Sequence, residues 1–309
     1  MKAIMMDRHG GLEVLRYGDL PDPAAEAGQV VVDIHAASVN GADAKVREGG
    51  AYATVSKFPY VLGRDFSGVV AALGAGVTEF AVGDAVFGVL AAGRDGTYAE
   101  KVAEKAVILC RKPSDLSHVE AAALALIGLT ALVSIEDTIK LERGETILIQ
   151  GGAGGVAGYA IQLAKHIGAR VIATASAANH DYVKSLGADE VIDYNKEDFT
   201  RVVKDVDAVF ETVGGDVATR SFAVVKSGGR AAFIASGATA PVSPRLDVRS
   251  LRPAVGRDRA HLQRILDLHA TRAVRVPEIR VFALREAAEA QSISEGRHLR
   301  GKLVLGVRS

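Results

Sequence analysis

Cysteine is nearly absent from this 309-residue chain, tryptophan is absent, and neither sign of charge is in excess. The single Cys110 excludes an intramolecular disulfide and a multi-cysteine metal site. Lys plus Arg and Asp plus Glu both number 37, so the composition lacks the charge bias of proteins that bind nucleic acids or membrane surfaces. We therefore expect no nucleic-acid partner and no membrane partner.

Long hydrophobic runs are lacking as well. The longest apolar window, residues 121–135, is shorter than a bilayer span and is interrupted by Gly128 and Thr130. Residues 1–8 have an apolar core that is too short for a signal peptide. These absences predict a cytoplasmic protein.

Two patterns follow each other along the chain. The first third has short strands separated by glycine turns, whereas helices and apolar strands alternate from about residue 118. That alternation predicts a parallel sheet covered on both faces. The strands of this sheet are predicted at 146–150, 170–174, 190–193, 207–211 and 229–234.

The C-terminal part changes pattern once more. A helix is predicted near 259–270, followed by a strand at 278–282, a helix at 285–294 and a strand at 302–307. The last three elements have too little core of their own, so we expect them to pack on the N-terminal domain. The predicted division is 1–117 and 265–309 for one domain and 118–264 for the other.

A glycine turn lies between the strand at 146–150 and a helical run. Gly152, Gly154 and Ala157 fit the G-x-G-x-x-G/A pattern of dinucleotide-binding βαβ units, and the strand at 170–174 completes the unit. The N-terminus of such a helix has unpaired backbone N–H groups that attract a pyrophosphate. The predicted contacts to this group are at Gly152, Gly154, Gly155 and Val156.

The end of the second strand bears on the choice of dinucleotide. NAD-binding units usually have an acidic residue there, which accepts hydrogen bonds from the ribose 2′-OH. This chain has Ser176 and Asn179, which can donate to a 2′-phosphate, and Tyr194 after the third strand could close over it. NADPH is favoured, while a plain polar turn in an enzyme that also uses NADH stays open.

Several segments together resemble one family. The chain is similar to the zinc-independent, ζ-crystallin-like quinone oxidoreductases among the medium-chain dehydrogenases/reductases. The resemblance covers essentially the whole chain and implies an α/β protein with a GroES-like, β-rich catalytic domain, a Rossmann domain with a doubly wound parallel sheet, and a homodimer. The matching segments are 38–43, 63–68, 128–131, 144–165, 186–189 and 300–304.

The resemblance also bears on zinc. Zinc-dependent relatives carry G-H-E-x-x-G where this chain has Gly63–Gly68, and Arg64 replaces the histidine ligand. The eight histidines show no ligand spacing. We therefore expect no metal, and we expect Arg64 and Asp65 to form a structural ion pair.

Site residues follow from the resemblance, each with a structural alternative. Asn40 would lie near the nicotinamide and donate to the cofactor or the substrate oxygen, or it caps a turn. Tyr52 would cover the cleft and act as a second catalytic residue, or it packs on the surface. Thr130 would contact the nicotinamide carboxamide, or its hydroxyl bonds back to a helix carbonyl. Further cofactor contacts are expected after the parallel strands, at Val213, Ala235, Ser236 and Gly237.

The leading hypothesis is an NADPH-dependent reductase of quinones or of activated alkenes. Without a Lewis acid, oxidation of a plain alcohol is difficult, whereas hydride transfer to an electron-poor acceptor requires less stabilisation. A zinc-free alcohol or carbonyl dehydrogenase and a non-catalytic NADPH-binding protein, crystallin-like or RNA-binding, are the alternatives. Residues 239–259 are expected to shape the substrate mouth or a dimer edge, so the sequence leaves the choice between quinone and enone open.

Overall fold

The computed structural model describes residues 1–50, 55, 57–91, 93 and 96–308. The strands are β1 (Lys2–Met6), β2 (Arg16–Asp19), β3 (Gln29–Val39), β4 (Tyr60–Val61), β5 (Asp65–Leu73), β6 (Ala85–Val89), β7 (Lys101–Lys105), β8 (Leu109–Arg111), β9 (Thr146–Ile149), β10 (Arg170–Ala175), β11 (Glu190–Asp193), β12 (Val206–Glu211), β13 (Val225–Phe233), β14 (Arg249–Leu251), β15 (Ile279–Ala283) and β16 (Lys302–Gly306). The α-helices are α1 (Gly41–Arg47), α2 (His118–Leu132), α3 (Gly155–Ile167), α4 (His180–Ser185), α5 (Phe199–Val202), α6 (Asp216–Ser221), α7 (Arg259–Ala270) and α8 (Ala287–Glu295).

The chain divides into two compact units. Unit 1 comprises 1–126, 257–267 and 278–309, and unit 2 comprises 127–256 and 268–277. The sequence places its boundaries at 117 and 264, whereas these units divide within the helices α2 and α7.

Unit 1 is built on antiparallel strands. A seven-stranded sheet has the order β15-β16-β3-β5-β6-β8, with β7 also paired to β3, and a smaller sheet has the order β2-β1-β4. The C-terminal β16 runs antiparallel to β3, with Leu303 opposite Val39. This pairing brings residues near the C-terminus beside Val39 and Asn40.

Unit 2 contains the predicted parallel sheet. Its order is β11-β10-β9-β12-β13-β14, and every pairing is parallel. The strands lie where the sequence predicts them, except that β13 begins earlier, at Val225, and the edge strand β14 is not predicted. Because all strands run in one direction, the residues that follow them gather at one edge of the sheet, where such folds bind ligands.

Apolar side chains of the sheet and its helices form the core of unit 2. Burial of one such aliphatic or aromatic side chain stabilises the fold by about 1.5–3 kcal/mol. Its fully or almost fully buried members include Leu148, Val206, Val209, Phe222, Ala231 and Phe233.

The helix α2 continues into a π-helical segment, Val133–Ile139. Together they form a 22-residue stretch that is long and apolar enough to cross a membrane by length and composition. It is longer than the apolar window 121–135 because the helix begins at His118 and its π-helical turns continue past Ile135 to Ile139. Since 83% of its apolar window is buried inside the protein, it has the environment of a core helix.

A histidine pair joins β3 to the start of α2. The rings of His35 and His118 stack with their centroids 4.4 Å apart. His118 Nδ1 lies 2.8 Å from Ser67 Oγ, and this hydroxyl donates to Val86 O, so Nδ1 carries the proton. Burial lowers the pKa of His118 to about 4, and the charges of His35 and Lys112 add to that effect. Burial also lowers the pKa of His35.

We expect acid to destabilise the protein through this pair. Between pH 7 and pH 5, the free energy of unfolding should fall by about 1–2 kcal/mol more in the wild-type protein than in His118→Gln. An unfolded histidine has a pKa near 6.5, so the stability held by the neutral ring is complete above pH 6.5 and is lost as the pH falls towards 4. Urea denaturation at the two pH values measures the difference, and equal pH dependence of both proteins would contradict the expectation.

Candidate active site

The glycine turn after β9 is braced by one polar strand residue. Gly151 N donates to Thr174 Oγ1 at 3.1 Å, and Gly152 N donates to Thr174 O at 2.8 Å. The Thr174 hydroxyl in turn donates to Gln150 Oε1 at 2.7 Å, with Gln150 almost fully buried. The loop is therefore fixed to the neighbouring strand β10. Gln150 and Thr174 are not among the site residues predicted from the sequence, although polar residues at the ends of apolar strands are the signal for them.

Close packing explains why glycine occupies the first position of the pattern. A Cβ on Gly152 would lie 3.1–3.2 Å from side-chain atoms of Ala173, Val183 and Ile161. A larger side chain would push the turn away from the sheet. Ala157, at the last position of the pattern, is fully buried.

The N-terminus of α3 offers an anion site. The helix begins after Gly154, which has no side chain to cap it, and the first helical bond runs from Gly158 N to Gly154 O at 2.7 Å. Within the described part of the chain, the N–H groups of Gly155, Val156 and Ala157 have no hydrogen-bond acceptor. Three unpaired N–H groups at a helix N-terminus match the needs of a phosphate.

Ser176, Asn179 and Tyr194 follow two neighbouring strands, β10 and β11. Ala175 pairs with Asp193, so Ser176 and Tyr194 follow adjacent strands at the same edge. Asn179 Nδ2 donates to Ser176 Oγ at 3.2 Å, and Tyr194 is 47% exposed. No carboxylate follows β10 directly, and the polar side chains at this strand end, Ser176 and Asn179, are neutral.

The loops after β12 and β13 complete this edge. Glu211 is fully buried, and its Oε1 accepts from Val213 N at 2.6 Å and from Gly214 N at 2.7 Å. A Cβ on Gly214 would lie 3.2 Å from Ala235 O, so the two loops touch. Glu211 thus holds the turn that carries Val213, although it is not among the site residues predicted from the sequence. Ser236 Oγ donates to Thr239 O at 3.0 Å, and Gly237 has a positive φ of 92°.

Thr130 lies in α2, where it is 9% exposed. Its carbonyl accepts from Ser134 Oγ at 2.6 Å. Among the described residues, its hydroxyl has no hydrogen-bond partner, so the back-bonding alternative for Thr130 does not occur.

In unit 1, the Asn40 amide is held by charged groups on both sides. Its Nδ2 donates to Asp65 Oδ1 at 2.7 Å and to Ser38 O at 3.2 Å, and its Oδ1 accepts from Lys302 Nζ at 2.6 Å. Both amide N–H groups are therefore used within the protein. That Asn40 lies near the nicotinamide and donates to the cofactor or the substrate oxygen stays a prediction, and a ligand would have to compete with Asp65 and Ser38 for the amide N–H groups.

Asp65 does not pair with Arg64, which corrects the expected ion pair. The carboxylate of Asp65 is fully buried and accepts from Ser38 Oγ at 2.6 Å and from Leu126 N at 3.3 Å, besides Asn40. No ion pair within 4.0 Å joins the two residues in the described structure. Neighbouring residues of an extended chain point to opposite sides, which separates the two side chains.

A second buried carboxyl lies beside Asn40. Asp43 Oδ2 accepts from Asn40 N at 2.9 Å and from Tyr98 Oη at 2.8 Å. Burial raises the pKa of Asp43 to about 6, although these hydrogen bonds oppose the rise. Burial raises the pKa of Tyr98 well above its ordinary value. The start of α1 is thus held by the Asp43 carboxyl, which accepts a hydrogen bond from Asn40 N and has a pKa of about 6.

The described residues contain no group of three or more His, Cys, Asp and Glu side chains that could hold a metal ion. Cys110 is buried, and burial raises the pKa of its thiol. Tyr52 lies outside the described residues. The structure thus brings the predicted contacts that follow the parallel strands to one sheet edge, whereas Thr130 lies on α2 and Asn40 lies in a charged network of unit 1.

Comparison with known proteins gives consistent results. Residues 26–114 match the model of the family described as "Alcohol dehydrogenase GroES-like domain". Residues 186–305 match the model of the family described as "Zinc-binding dehydrogenase". The chain is 33% identical to the NADPH-dependent alkenal/one oxidoreductase, chloroplastic, of Arabidopsis thaliana, over 99% of this chain and 79% of that protein. It is 38% identical to the 2-methylene-furan-3-one reductase of Solanum lycopersicum, over 78% of this chain but only 64% of that protein.

A solved structure agrees over the full length. The quinone oxidoreductase from Coxiella burnetii superposes with a TM-score of 0.91 at 36% identity, covering 100% of this chain and 99% of that one. At this identity, the likeness extends beyond the fold to the sequence pattern of both units.

Proposed function

This chain belongs to the quinone oxidoreductase family of medium-chain dehydrogenases/reductases, and we propose that it transfers hydride from NADPH to a quinone or to an α,β-unsaturated carbonyl compound. The observation that carries the proposal is the sheet edge of unit 2, where open N–H groups of α3 lie beside strand ends without a carboxylate after β10. The relatives named above reduce alkenals, enones or quinones according to their names, which supports the two acceptor classes.

The residues of unit 2 fit the parts of this cofactor. Gly152, Gly154, Gly155 and Val156 would hold the pyrophosphate through the backbone. The hydroxyl and amide groups of Ser176, Asn179 and Tyr194 would donate hydrogen bonds to the 2′-phosphate. NADH lacks this phosphate but is not repelled by neutral groups, so we expect it to be a weaker substrate. Thr130 would contact the carboxamide through its hydroxyl, and the loops at Val213 and at Ala235, Ser236 and Gly237 would border the nicotinamide.

When bound, NADPH supplies the hydride, and the protein supplies orientation. Asn40 would act close to the nicotinamide, with Tyr52 as the second residue proposed for catalysis. As hydride arrives at the acceptor, negative charge grows on its oxygen, and a donor near that oxygen with a proton from solvent completes the reduction. Residues 239–259 would decide which acceptor fits.

We propose that this activity needs no zinc. Arg64 stands where zinc-dependent relatives have a histidine ligand, and an arginine does not coordinate Zn²⁺. The purified protein, treated with a chelator and dialysed, is therefore expected to keep at least about nine-tenths of its rate of NADPH oxidation. The assay follows NADPH absorbance with a simple benzoquinone and with an α,β-unsaturated ketone, and NADH serves as the comparison.

Each result of this assay has a distinct meaning. Turnover after chelation supports the zinc-free reductase, and the faster acceptor identifies the class. Activity that disappears with the chelator and returns with Zn²⁺ would contradict the zinc-free proposal. NADPH binding without reduction of either acceptor would overturn the reductase, and reversible oxidation of a secondary alcohol would then favour a carbonyl dehydrogenase.

We further propose a cytoplasmic homodimer whose partner is a small-molecule acceptor, with no nucleic-acid or membrane partner. Balanced charge supports the last point, and the dimer rests on the family alone. Light scattering that gives the mass of one chain, 32.3 kDa, at working concentration would contradict the dimer.

A further inference from the structure

Two threonine side chains hold the end of β9 from both sides. In the sheet of unit 2, β9 lies between β10 and β12. The hydroxyl of Thr174, on β10, donates to Gln150 Oε1 at 2.7 Å and accepts from Gly151 N at 3.1 Å. The hydroxyl of Thr212, directly after β12, donates to Gln150 O at 2.7 Å. The entry to the glycine turn is thus fixed by one hydroxyl from each neighbouring strand.

Every polar group of Gln150 takes part in this arrangement. Gln150 is 1% exposed, its N–H donates to Phe210 O at 3.0 Å, and its Nε2 donates to Ser221 Oγ at 3.4 Å. Its two oxygens accept from Thr212 and Thr174. A buried polar network in which all members are paired is rigid and has one preferred arrangement. Loss of either threonine hydroxyl would leave a buried acceptor without its donor.

The position of Gly151 is passed on to the start of α3. Gly151 has a positive φ of 73°, and a Cβ there would lie 3.0 Å from Thr212 Oγ1 and 3.2 Å from Val213 Cγ2. The carbonyl of Gly151 accepts from Gly154 N at 3.0 Å, and α3 begins directly after Gly154. The open N–H groups at 155–157 therefore point where Gly151 and its threonine partners place them.

We propose that Thr174 and Thr212 are positioning residues that hold the glycine turn and the first N–H groups of α3 in the arrangement that receives the pyrophosphate of the dinucleotide. The proposal rests on NADPH as the proposed cofactor and concerns unit 2 alone. A preformed turn binds a ligand more tightly than one that must first be ordered. Removal of the two hydroxyls should therefore weaken the binding of ligands that carry a pyrophosphate.

The double variant T174V/T212V tests this proposal, because valine keeps the shape of threonine and lacks its hydroxyl. The Kd of 2′-phospho-ADP-ribose and the Kd of NADPH are expected to rise at least about 10-fold. Adenosine 2′-monophosphate has no pyrophosphate, so its Kd should change by less than about threefold. Isothermal titration calorimetry with each of the three ligands gives these values, and thermal unfolding gives Tm.

Three further variants serve as controls. T174S/T212S keeps both hydroxyls and should bind 2′-phospho-ADP-ribose within about threefold of the wild-type protein. Thr97→Val is a matched substitution in unit 1, where the fully buried Thr97 donates to Asp65 O at 3.1 Å; it should lower Tm and leave this Kd within about twofold. Thr212→Val alone removes only the half-buried hydroxyl, and it replaces the double variant if that one does not fold.

The pattern across the three ligands separates positioning from stability. A variant that weakens the binding of all three ligands equally would overturn the proposal, because a general loosening of unit 2 predicts that result. Unchanged binding of 2′-phospho-ADP-ribose would overturn it as well. These titrations need no turnover: a wild-type protein that binds NADPH without reducing an acceptor fails the proposed function, while the Kd comparison still decides this inference. A wild-type protein that binds none of the ligands overturns both.

Discussion

Replacement of Ser176 by aspartate is expected to lower kcat/KM for NADPH by about 100-fold and to leave kcat/KM for NADH unchanged or higher. The new carboxylate would stand after β10, where we propose that the 2′-phosphate binds. Two unit charges about 5 Å apart repel by roughly 3 kcal/mol at the effective dielectric of a protein surface, which corresponds to about 100-fold. A free 2′-OH of NADH would instead donate to the same carboxylate.

The matched control is Ser176→Asn, which has nearly the shape of aspartate and no charge. It should lower kcat/KM for NADPH by less than about 10-fold. Kinetics with both cofactors, at one fixed acceptor concentration, measure the two ratios. Equal losses with NADPH and NADH in Ser176→Asp would show that Ser176 does not face the 2′ position.

The sequence was sufficient for the features that rest on local pattern. An apolar strand, a glycine turn and a helix predict the loop at Gly151–Gly155, because each part depends on neighbours a few residues away. The same holds for β11, which ends at Asp193 as predicted, and for β10, which ends at Ala175, one residue beyond the predicted end. The parallel direction of these strands then brings Ser176 and Tyr194 to one edge without further information.

Features that depend on distant pairing were not predictable in this way. Lys302 follows Asn40 by 262 residues, and only the antiparallel pairing of β16 with β3 brings the two together. The direction of the Asn40 amide depends on Asp65 as well, so residue type alone could not predict which hydrogen bonds this amide makes. The early start of β13 at Val225 has a similar cause, since it follows from pairing with Val206 on β12.

Arg230 also depends on partners that are distant in the sequence, and we expect its replacement to cause a large loss of stability. Arg230 is 7% exposed, and its guanidinium donates to both carboxylate oxygens of Glu145, at 2.9 and 2.5 Å. It also donates to Ile139 O at 2.6 Å, Lys140 O at 3.0 Å and Asp207 O at 3.3 Å. One side chain therefore joins β13, the end of the π-helical segment, the start of β9 and β12.

We expect Arg230→Met to lower the free energy of unfolding by about 3–5 kcal/mol. The methionine fills part of the volume, but Glu145 is left partly buried without its cation and three carbonyls lose their donor. Arg230→Lys should lose less, because lysine keeps the charge and lacks the planar fork that reaches these acceptors together. Urea denaturation followed by circular dichroism measures the three proteins.

The exposed pair Arg280–Glu289 provides the control, since Arg280 is 61% exposed and its nitrogen lies 3.6 Å from the carboxylate. Arg280→Met should change the free energy of unfolding by less than about 1 kcal/mol. A loss that small for Arg230→Met would contradict the prediction. Addition of Glu145→Gln to Arg230→Met should recover part of the loss, because it removes the unpaired charge and leaves only the missing hydrogen bonds. The recovered fraction would separate the cost of the buried charge from that of the carbonyl groups.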